Sequence, residues 1–276
     1  MNKIKSFAVS MILGATGLII YCGSFYVKSI EENRHARESY DNIRQLSMTD
    51  QEKDTDEPLN RVQKTAVKDS TDNGTEDEIR ESFGISWENL RKVNPQIVGW
   101  LTVPGADISY PVVQGKDDEY YLSHSFSGEE DPFGCIFLGC TGKKDFSDSH
   151  SFIFGHNMEG NMMFANLNRY EKPEFLAKCP EFEITTPNRK LFYRIFSVEQ
   201  ASEGSAAFEY GYQVGSPQYR KQLGILKADS MYETDVWPDD TCNMVTLITC
   251  NSRLDKNIRM AVHGICCEII ENTDTK

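Results

Sequence analysis

Two residues with reactive side chains stand where apolar, strand-like runs of the sequence end. Cys250 closes the run VTLITC, and His156 closes the run SFIFGH after Gly155. A thiol at a strand end can reach a groove while the β-branched residues before it fix the backbone, which suits a nucleophile. A histidine in the matching position suits proton transfer at neutral pH. Taken one at a time, a buried core cysteine and a hydrogen-bonded core histidine are the ordinary alternatives.

Arg259 opens the strand-like run that follows Cys250 in the chain. If the two runs pair as a hairpin, the guanidinium returns beside the thiol. A fixed cation there stabilises the oxyanion of a tetrahedral acyl intermediate, and the loss of one such donor costs about 3–4 kcal/mol. Arg253 is the alternative, because it is closer to Cys250 in sequence, although the middle of a loop usually holds a solvated charge. Together the residue types predict acyl transfer through a thioester.

These side chains need strands to position them, and eight runs of the sequence have strand character. The runs are residues 99–103, 108–114, 135–140, 151–156, 182–186, 191–200, 243–250 and 259–270. A helix is predicted over residues 216–230, with Ser216 as N-cap and Pro217 at the first helical position. Shorter helices are predicted after Ser86 and in MMFANLNRY. Many short strands with one late helix predict a mainly β fold that closes into a barrel.

An uncharged run covers residues 7–27 near the N-terminus. At about 1.5 Å rise per residue, it is just long enough to cross a bilayer core of about 30 Å. The run is too long for the apolar region of a cleaved signal peptide, so an uncleaved transmembrane anchor is predicted. Lys3 and Lys5 precede it, which predicts that residues 1–6 lie in the cytoplasm. The protein would then cross the cell membrane once, with its catalytic domain outside the cell.

The remaining chain falls into two parts of different composition. Residues 28–80 are polar and charged with few large apolar side chains, which predicts an acidic extracytoplasmic stalk. Residues 81–276 have the composition of a folded catalytic domain. The formal net charge of -13 argues against nucleic acid as a partner, because phosphate binding needs clusters of lysine and arginine.

Cysteine usage favours one reactive thiol among several structural ones. Cys22 lies inside the apolar run, which leaves an odd number of cysteines outside it, and we expect Cys250 to stay reduced. The others are interpreted as buried apolar residues or as an undetermined pairing: Cys135, Cys140, Cys179, Cys242, Cys266 and Cys267. Because CxxC, HExxH and DxDxDG segments are all missing from the sequence, neither a metal nor another cofactor is expected.

Four sets of segments occur together in this sequence: NPQIVGWLTVPGADISYPVVQ, DDEYYL, FIFGHNM with MMFANL, and TLITC followed by an arginine that opens the last strand. Together they resemble the class B sortases, cysteine transpeptidases of Gram-positive cell surfaces. TLITC matches the sortase TLxTC pattern, and the upstream GHN-type histidine with the downstream arginine makes the joint match specific. The likeness covers nearly all of residues 83–270.

The resemblance implies an eight-stranded sortase-type β-barrel with N-terminal helices and a long helix, Ser216 to about Glu233, before the cysteine strand. It implies Cys250 as nucleophile, His156 as general acid and base, and Arg259 as the oxyanion and substrate-orienting residue. Asp118 stands where the family commonly has Asn, and Ile248 where it commonly has a small polar residue. The implied substrate-binding positions are Leu122, Asp118, Ile248 and Thr249.

The function implied is that of a membrane-anchored transpeptidase. It would cleave a C-terminal sorting motif of secreted proteins and transfer the acyl group to a cell-wall peptidoglycan amine. A pilin-polymerising sortase that uses a subunit lysine is the first alternative. A hydrolytic cysteine peptidase of the papain kind is another, opposed by chain order because His156 precedes Cys250. The last is a peptide-binding module without catalysis, in which Cys250 is incidental.

Overall fold

The computed structural model describes residues 2–48, 82–158, 160–202, 204–250 and 257–272, and for residues 2–17, 19, 20, 25, 82 and 250 it describes the backbone alone. Arg253 and residues 49–80 of the predicted stalk lie outside the described residues. The chain divides into two compact units, Met1–Asn42 and Ile43–Lys276. The candidate site residues other than Arg253 belong to the described part of the second unit.

Eight of the strands that the structure describes close into a barrel. The ten described strands, in chain order, are Ile97–Val103 (β1), Ile108–Val113 (β2), Ile136–Leu138 (β3), His150–Gly155 (β4), Asn157–Met158 (β5), Met162–Met163 (β6), Glu181–Thr185 (β7), Arg189–Ser202 (β8), Met244–Cys250 (β9) and Ile258–Glu271 (β10). The order around the wall is β1-β2-β3-β4-β9-β10-β8-β7, while β5 and β6 pair separately. The predicted mainly β, eight-stranded barrel is confirmed.

Two neighbouring pairs in the wall run parallel, β2 with β3 and β4 with β9, and the other pairs are antiparallel. Parallel strands end at the same edge of a sheet, so the C-terminal ends of β4 and β9 meet. The interior between the strands is filled by side chains with almost no exposure, such as Ile153, Leu247 and Val262. Each such burial contributes about 1.5–3 kcal/mol relative to an exposed side chain, so the wall is a rigid support.

A second apolar layer lies on the outside of the wall, beneath a helix. This helix, Pro217–Ala228 (α4), packs Tyr219, Leu223 and Leu226 against Ala261 of β10 and Met244 of β9. Ser216 caps it as predicted, because its Oγ accepts from the Tyr219 N–H at 3.1 Å. The helix ends before Glu233, since the Met231 N–H donates to the Val198 carbonyl at 2.7 Å and joins the chain to β8.

The other predicted helices differ in detail from expectation. The helix after Ser86 is present as Trp87–Val93 (α2), but the Ser86 side chain does not cap it. The Ser86 N–H instead donates to the Ser47 carbonyl at 2.9 Å. MMFANLNRY begins as β6, because Met163 has a φ of 52° that breaks the helix, and continues as a 3-10 helix, Ala165–Glu171. A short helix, Pro173–Lys178 (α3), follows.

The N-terminal helix, Asn2–Ser47 (α1), includes the first part of the predicted stalk. Its described side chains from Lys28 onward carry exposed ion pairs, Lys28 with Glu32 and Arg34 with Glu31 and Glu38. Among the described residues, no helix combines the length and the apolar character that a membrane crossing requires. The predicted location, a single-pass cell-membrane protein with a cytoplasmic N-terminus and an extracellular catalytic domain, is therefore wrong on this finding.

Every cysteine whose side chain is described is a free thiol, and Cys135, Cys179 and Cys266 are buried. Burial is the main reason that the pKa of Cys266 rises to about 11. These three fit the interpretation as small apolar residues, whereas Cys267 is exposed.

Candidate active site

The ends of β4 and β9 bring His156 and Cys250 to neighbouring backbone positions. The two strands run parallel, and Gly155 at the end of β4 is aligned with Thr249. His156 directly follows Gly155 and Cys250 directly follows Thr249, so both stand at the same edge of the barrel wall. The matching strand-end positions noted in the sequence thus have a direct structural basis.

Arg259 joins this pair from the other side of β9. Strand β10 runs antiparallel to β9 and aligns Arg259 with Cys250. Directly opposed residues of antiparallel strands have Cα atoms about 4.5–5.5 Å apart. The hairpin pairing on which the sequence argument depended is therefore present. His156 follows β4, Cys250 ends β9 and Arg259 lies near the start of β10. These three strands are adjacent in the wall, and the three residues lie at one edge of it.

His156 has a defined hydrogen-bond partner, the backbone of Leu122. Its Nε2 lies 2.7 Å from the Leu122 carbonyl oxygen. Because a carbonyl oxygen only accepts, Nε2 carries a proton here, and Nδ1 is the nitrogen that can take up or release one. His156 as a whole residue is partly exposed.

Leu122 ends a 3-10 turn, Tyr120–Leu122, that Tyr121 fixes to the barrel. The buried Tyr121 hydroxyl donates to Gln96 Oε1 at 2.6 Å and accepts from Asn94 Nδ2 at 2.9 Å. Burial raises the pKa of Tyr121, so the phenol keeps its proton. The Tyr121 carbonyl also accepts from the Cys135 N–H at 2.9 Å. The carbonyl that orients His156 is thus held by three fixed contacts one residue away.

The predicted substrate-binding residues lie in different surroundings. Leu122 is 41% exposed, and its carbonyl makes the His156 contact. Asp118 Oδ1 accepts from the Cys140 N–H at 2.6 Å and links the turn region to the segment after β3. Ile248 and Thr249 are each 1% exposed in β9. The peptide-binding role of all four stays a prediction.

Two features were not found from the sequence. One is the Leu122 carbonyl, a backbone atom with no side-chain signature. The other is a buried hydrogen-bonded chain through Glu199, His263, Thr246 and His150, whose only signal was polar residues inside apolar strands. Within the described part of the chain, no three His, Cys, Asp or Glu side chains are grouped as metal ligands would be.

The sequence matches the sortase domain family over residues 101–265, which is more than half of the chain. The chain belongs to the sortase family. Sortase B of Listeria monocytogenes is 28% identical over 264 residues, covering 95% of this chain and 98% of that protein. Sortase B of Staphylococcus aureus is 24% identical over 213 residues, covering 73% of this chain and 87% of that protein.

Solved structures agree with this assignment. Clostridium perfringens sortase B matches with a TM-score of 0.61 and 28% identity, covering 66% of this chain and 99% of that chain. A Staphylococcus aureus sortase B-substrate complex matches with a TM-score of 0.61 and 26% identity, covering 66% and 85%. This sortase is thus of class B, and it is a cysteine transpeptidase.

Proposed function

We propose that this sortase cleaves a C-terminal sorting motif of secreted proteins through a thioester at Cys250 and transfers the acyl group to a cell-wall peptidoglycan amine. The observation that carries the proposal is the register of three strands: β4 ends beside β9, and β10 aligns Arg259 with Cys250. A nucleophile, a proton carrier and a cation from adjacent strands form the set that acyl transfer needs.

In the first half-reaction the Cys250 thiolate attacks the backbone carbonyl of the sorting motif. The C=O π bond opens, and the resulting oxyanion is stabilised by the Arg259 guanidinium. Collapse of this intermediate breaks the peptide C–N bond, and the Nδ1 proton of protonated His156 passes to the departing amine. A thioester on Cys250 and a released C-terminal peptide are the products.

In the second half-reaction an acceptor amine attacks the thioester carbonyl. His156, now neutral, takes the proton from the attacking nitrogen at Nδ1 while Nε2 stays bonded to the Leu122 carbonyl. The C–S bond breaks, the new amide forms, and the thiolate returns. One of the similar solved structures is a sortase B complexed with triglycine, which supports a glycine-type amine as the first acceptor to try.

The test is a transfer assay with the full chain, a library of peptides with different C-terminal sorting motifs, and triglycine or a lysine peptide as acceptor. Mass spectrometry should detect a ligated product joined at the motif. Cys250→Ala should lower its rate of formation by at least about a thousandfold, as expected for a covalent nucleophile. The matched control is Cys267→Ala, because Cys267 is an exposed thiol on β10 outside the strand-end group.

Each other outcome of the assay would favour a different function for this protein. Ligation to the lysine peptide alone would favour a pilin-polymerising enzyme, and cleavage without ligation would favour a hydrolytic peptidase. Unchanged ligation by Cys250→Ala would refute the thioester mechanism. Binding of peptides with no conversion by the wild-type chain would leave only a peptide-binding module.

A further inference from the structure

Four buried polar side chains form a continuous hydrogen-bonded chain across the barrel wall. The Glu199 carboxylate Oε1 lies 2.9 Å from His263 Nε2, and His263 Nδ1 lies 2.8 Å from Thr246 Oγ1. His150 Nε2 lies 2.7 Å from the same hydroxyl, and His150 Nδ1 lies 2.8 Å from the Glu209 carbonyl oxygen. All four residues are at most 5% exposed. We call this set, Glu199, His263, Thr246 and His150, the polar chain.

Counting hydrogens shows that the polar chain needs one proton more than neutral histidines and an ionised carboxylate supply. Both of its ends, the Glu209 carbonyl and the Glu199 carboxylate, only accept. Four hydrogen bonds separate these ends, so four hydrogens are required. Two neutral imidazoles and one hydroxyl provide three. The fourth must be a proton that His263 and Glu199 share, as imidazolium with carboxylate or as imidazole with carboxylic acid.

The proton belongs at the Glu199 end of the polar chain. Burial lowers the pKa of His150 to about 3, with a further contribution from neighbouring His263, so His150 stays neutral. His150 must then donate from Nδ1 to the Glu209 carbonyl and accept at Nε2 from Thr246. Thr246 in turn accepts from His263 Nδ1. Because a buried charge is tolerated only when it is paired, the carboxylate beside His263 fixes where the extra proton is held.

The polar chain spans the same strands that carry the candidate site. His150 begins β4, which His156 follows, and Thr246 lies four residues before Cys250 in β9. His263 and Arg259 stand on one face of β10, because strand side chains alternate. Glu199 lies on β8 opposite Ala261, two residues before Ala201, which is aligned with Arg259. Each strand that ends at the site is therefore tied to its neighbour by a member of the polar chain.

Other charged or titratable groups on the surrounding elements have contacts of their own. Lys227 of α4 donates to the Thr234 carbonyl at 2.5 Å, and the Tyr219 hydroxyl donates to the Cys242 carbonyl at 2.8 Å. The Glu209 side chain accepts from the Tyr212 hydroxyl at 2.6 Å. The titratable and charged side chains on the elements around the polar chain are Tyr219 and Lys227 of α4, Glu209 and Tyr212 in the segment before α4, and Arg259 of β10.

We propose that Glu199, His263, Thr246 and His150 are positioning residues for the acyl-transfer site, and that one proton shared by His263 and Glu199 completes their hydrogen bonds. The polar chain fixes β4, β9, β10 and β8 relative to one another where α4 covers them. The strand ends that present His156, Cys250 and Arg259 are thereby held in register. The positioning role depends on the proposed function, whereas the shared proton does not.

The shared proton can be counted from unfolding. Above about pH 7.5 a histidine in the unfolded chain is neutral and a glutamate is ionised, so unfolding releases the proton. In Glu199→Gln the amide N–H of the new side chain donates to neutral His263. This N–H supplies the fourth hydrogen, so the variant needs no extra proton. Between about pH 7.5 and 9, release of this proton should multiply the unfolding constant of the wild-type chain, measured in urea, by about ten for each pH unit. The unfolding constant of Glu199→Gln should lack this tenfold factor.

The matched control is Glu181→Gln, which changes an exposed glutamate on β7 paired with Arg194. This variant should keep the wild-type pH slope. Equal slopes for the wild-type chain and Glu199→Gln would refute the shared proton. If Glu199→Gln does not fold, NMR of the wild-type chain with 15N-histidine and 13C-glutamate replaces it. At about pH 8.5 either His263 or Glu199 should carry the extra proton, and a neutral ring beside an ionised carboxylate would contradict it.

The positioning role is tested at Thr246, in the middle of the polar chain. Thr246→Val keeps the shape but removes the hydroxyl, and kcat for transfer should fall by about tenfold to a hundredfold with little change in the peptide KM. Thr246→Ser should restore most of kcat. Circular dichroism at the assay temperature confirms that each variant is folded. Wild-type kcat in folded Thr246→Val, or no recovery in Thr246→Ser, would overturn the role.

Failure of the proposed function is seen separately. A wild-type chain that transfers no acyl group refutes the function and with it the positioning role. The proton count needs no substrate, so the unfolding slopes decide it whatever the outcome of the transfer assay.

Discussion

The Nε2 atom of His156 donates to the carbonyl oxygen of Leu122 at a distance of 2.7 Å. This contact joins His156, the proposed proton carrier, to a turn more than thirty residues earlier in the chain. A carbonyl partner selects one ring nitrogen for proton exchange and fixes the plane of the imidazole. On the proposed mechanism, proton transfer therefore depends on the position of the turn as well as on the position of the strand.

Gly134→Ala tests this dependence on the turn. A Cβ at Gly134 would lie 2.5 Å from the Tyr121 carbonyl oxygen and 2.9 Å from the Leu122 carbonyl oxygen. The turn must shift, so we expect kcat for transfer to fall about tenfold to a hundredfold through misplaced His156. Steady-state kinetics with the peptide and amine measure this.

Gly128→Ala is the control for Gly134→Ala. Gly128 has a φ of +82° and Gly134 a φ of +59°, so both substitutions impose left-handed backbone strain. At Gly128 the nearest atom to the new Cβ is the Tyr120 hydroxyl at 3.7 Å, which leaves the carbonyls in place. Equal losses of kcat in the two variants would show that strain alone, and not the Leu122 carbonyl, is responsible.

Arg259→Ala should lower kcat by about a hundredfold to a thousandfold, because a donor to the oxyanion is lost. Arg259→Lys should lie between this variant and the wild type, since the charge is kept but the two-pronged donor geometry is not. Single-turnover rates of thioester formation measure the effect. Arg194→Ala is the control, because Arg194 is exposed on β8 and pairs with Glu181. A full rate in Arg259→Ala together with a large loss in Arg253→Ala would move the role to Arg253.

The strand-end residues could be predicted from the sequence because strand pairing follows apolar periodicity. The runs that end at His156 and Cys250 are long and strongly apolar, and the run opened by Arg259 pairs with the cysteine run as expected. What the sequence could not reveal depends on distant contacts. The Leu122 carbonyl is a backbone atom, and the end of α4 at Ala228 is set by a hydrogen bond to Val198.

The buried histidines illustrate the same limit. In the sequence His150 stands in a polar stretch and His263 within a strand-like run. Nothing near either residue in sequence shows that α4 and the segment before it cover both. Their partners come from other strands and from the Glu209 carbonyl. Burial created by elements far along the chain is therefore what converted them into members of one network.

His150 should make the stability of the fold depend on pH in the acid range. Its pKa is about 3 in the folded chain, against about 6.5 in an unfolded one, so the unfolded state binds more protons below about pH 6.5. The stabilisation is present above about pH 6.5 and is lost as pH falls towards about 3. Between about pH 6 and 4 the free energy of unfolding should fall by about 1.4 kcal/mol per pH unit more in the wild-type chain than in His150→Gln.

Urea unfolding at several pH values measures this slope. His35→Gln is the control, since His35 is an exposed histidine on α1 and its loss should leave the slope of the wild-type chain unchanged. A His150→Gln slope equal to that of the wild type would contradict the assignment of this acid sensitivity to His150.

Gly264→Ala should destabilise the barrel. The added Cβ would lie 2.4 and 2.6 Å from ring atoms of Phe182 and 3.0 Å from the Tyr193 Cβ. Overpacking of this kind costs about 1–3 kcal/mol, which thermal or urea unfolding detects. Gly224→Ala on α4 is the opposite case, because its Cβ meets no atom within 4 Å and alanine favours the helix by about 1 kcal/mol. Gly264→Ala as stable as the wild type would show that Phe182 moves aside at little cost.

The parallel pairing of β4 with β9 also bears on how the enzyme is made. Such a pair joins segments distant in the chain, and contacts of this kind form late, because a long loop must close before they stabilise anything. During synthesis the histidine strand leaves the ribosome well before the cysteine strand that completes the wall. On the proposed mechanism, a growing or truncated chain therefore has no reactive centre, because Cys250 meets His156 and Arg259 only when the whole barrel has formed.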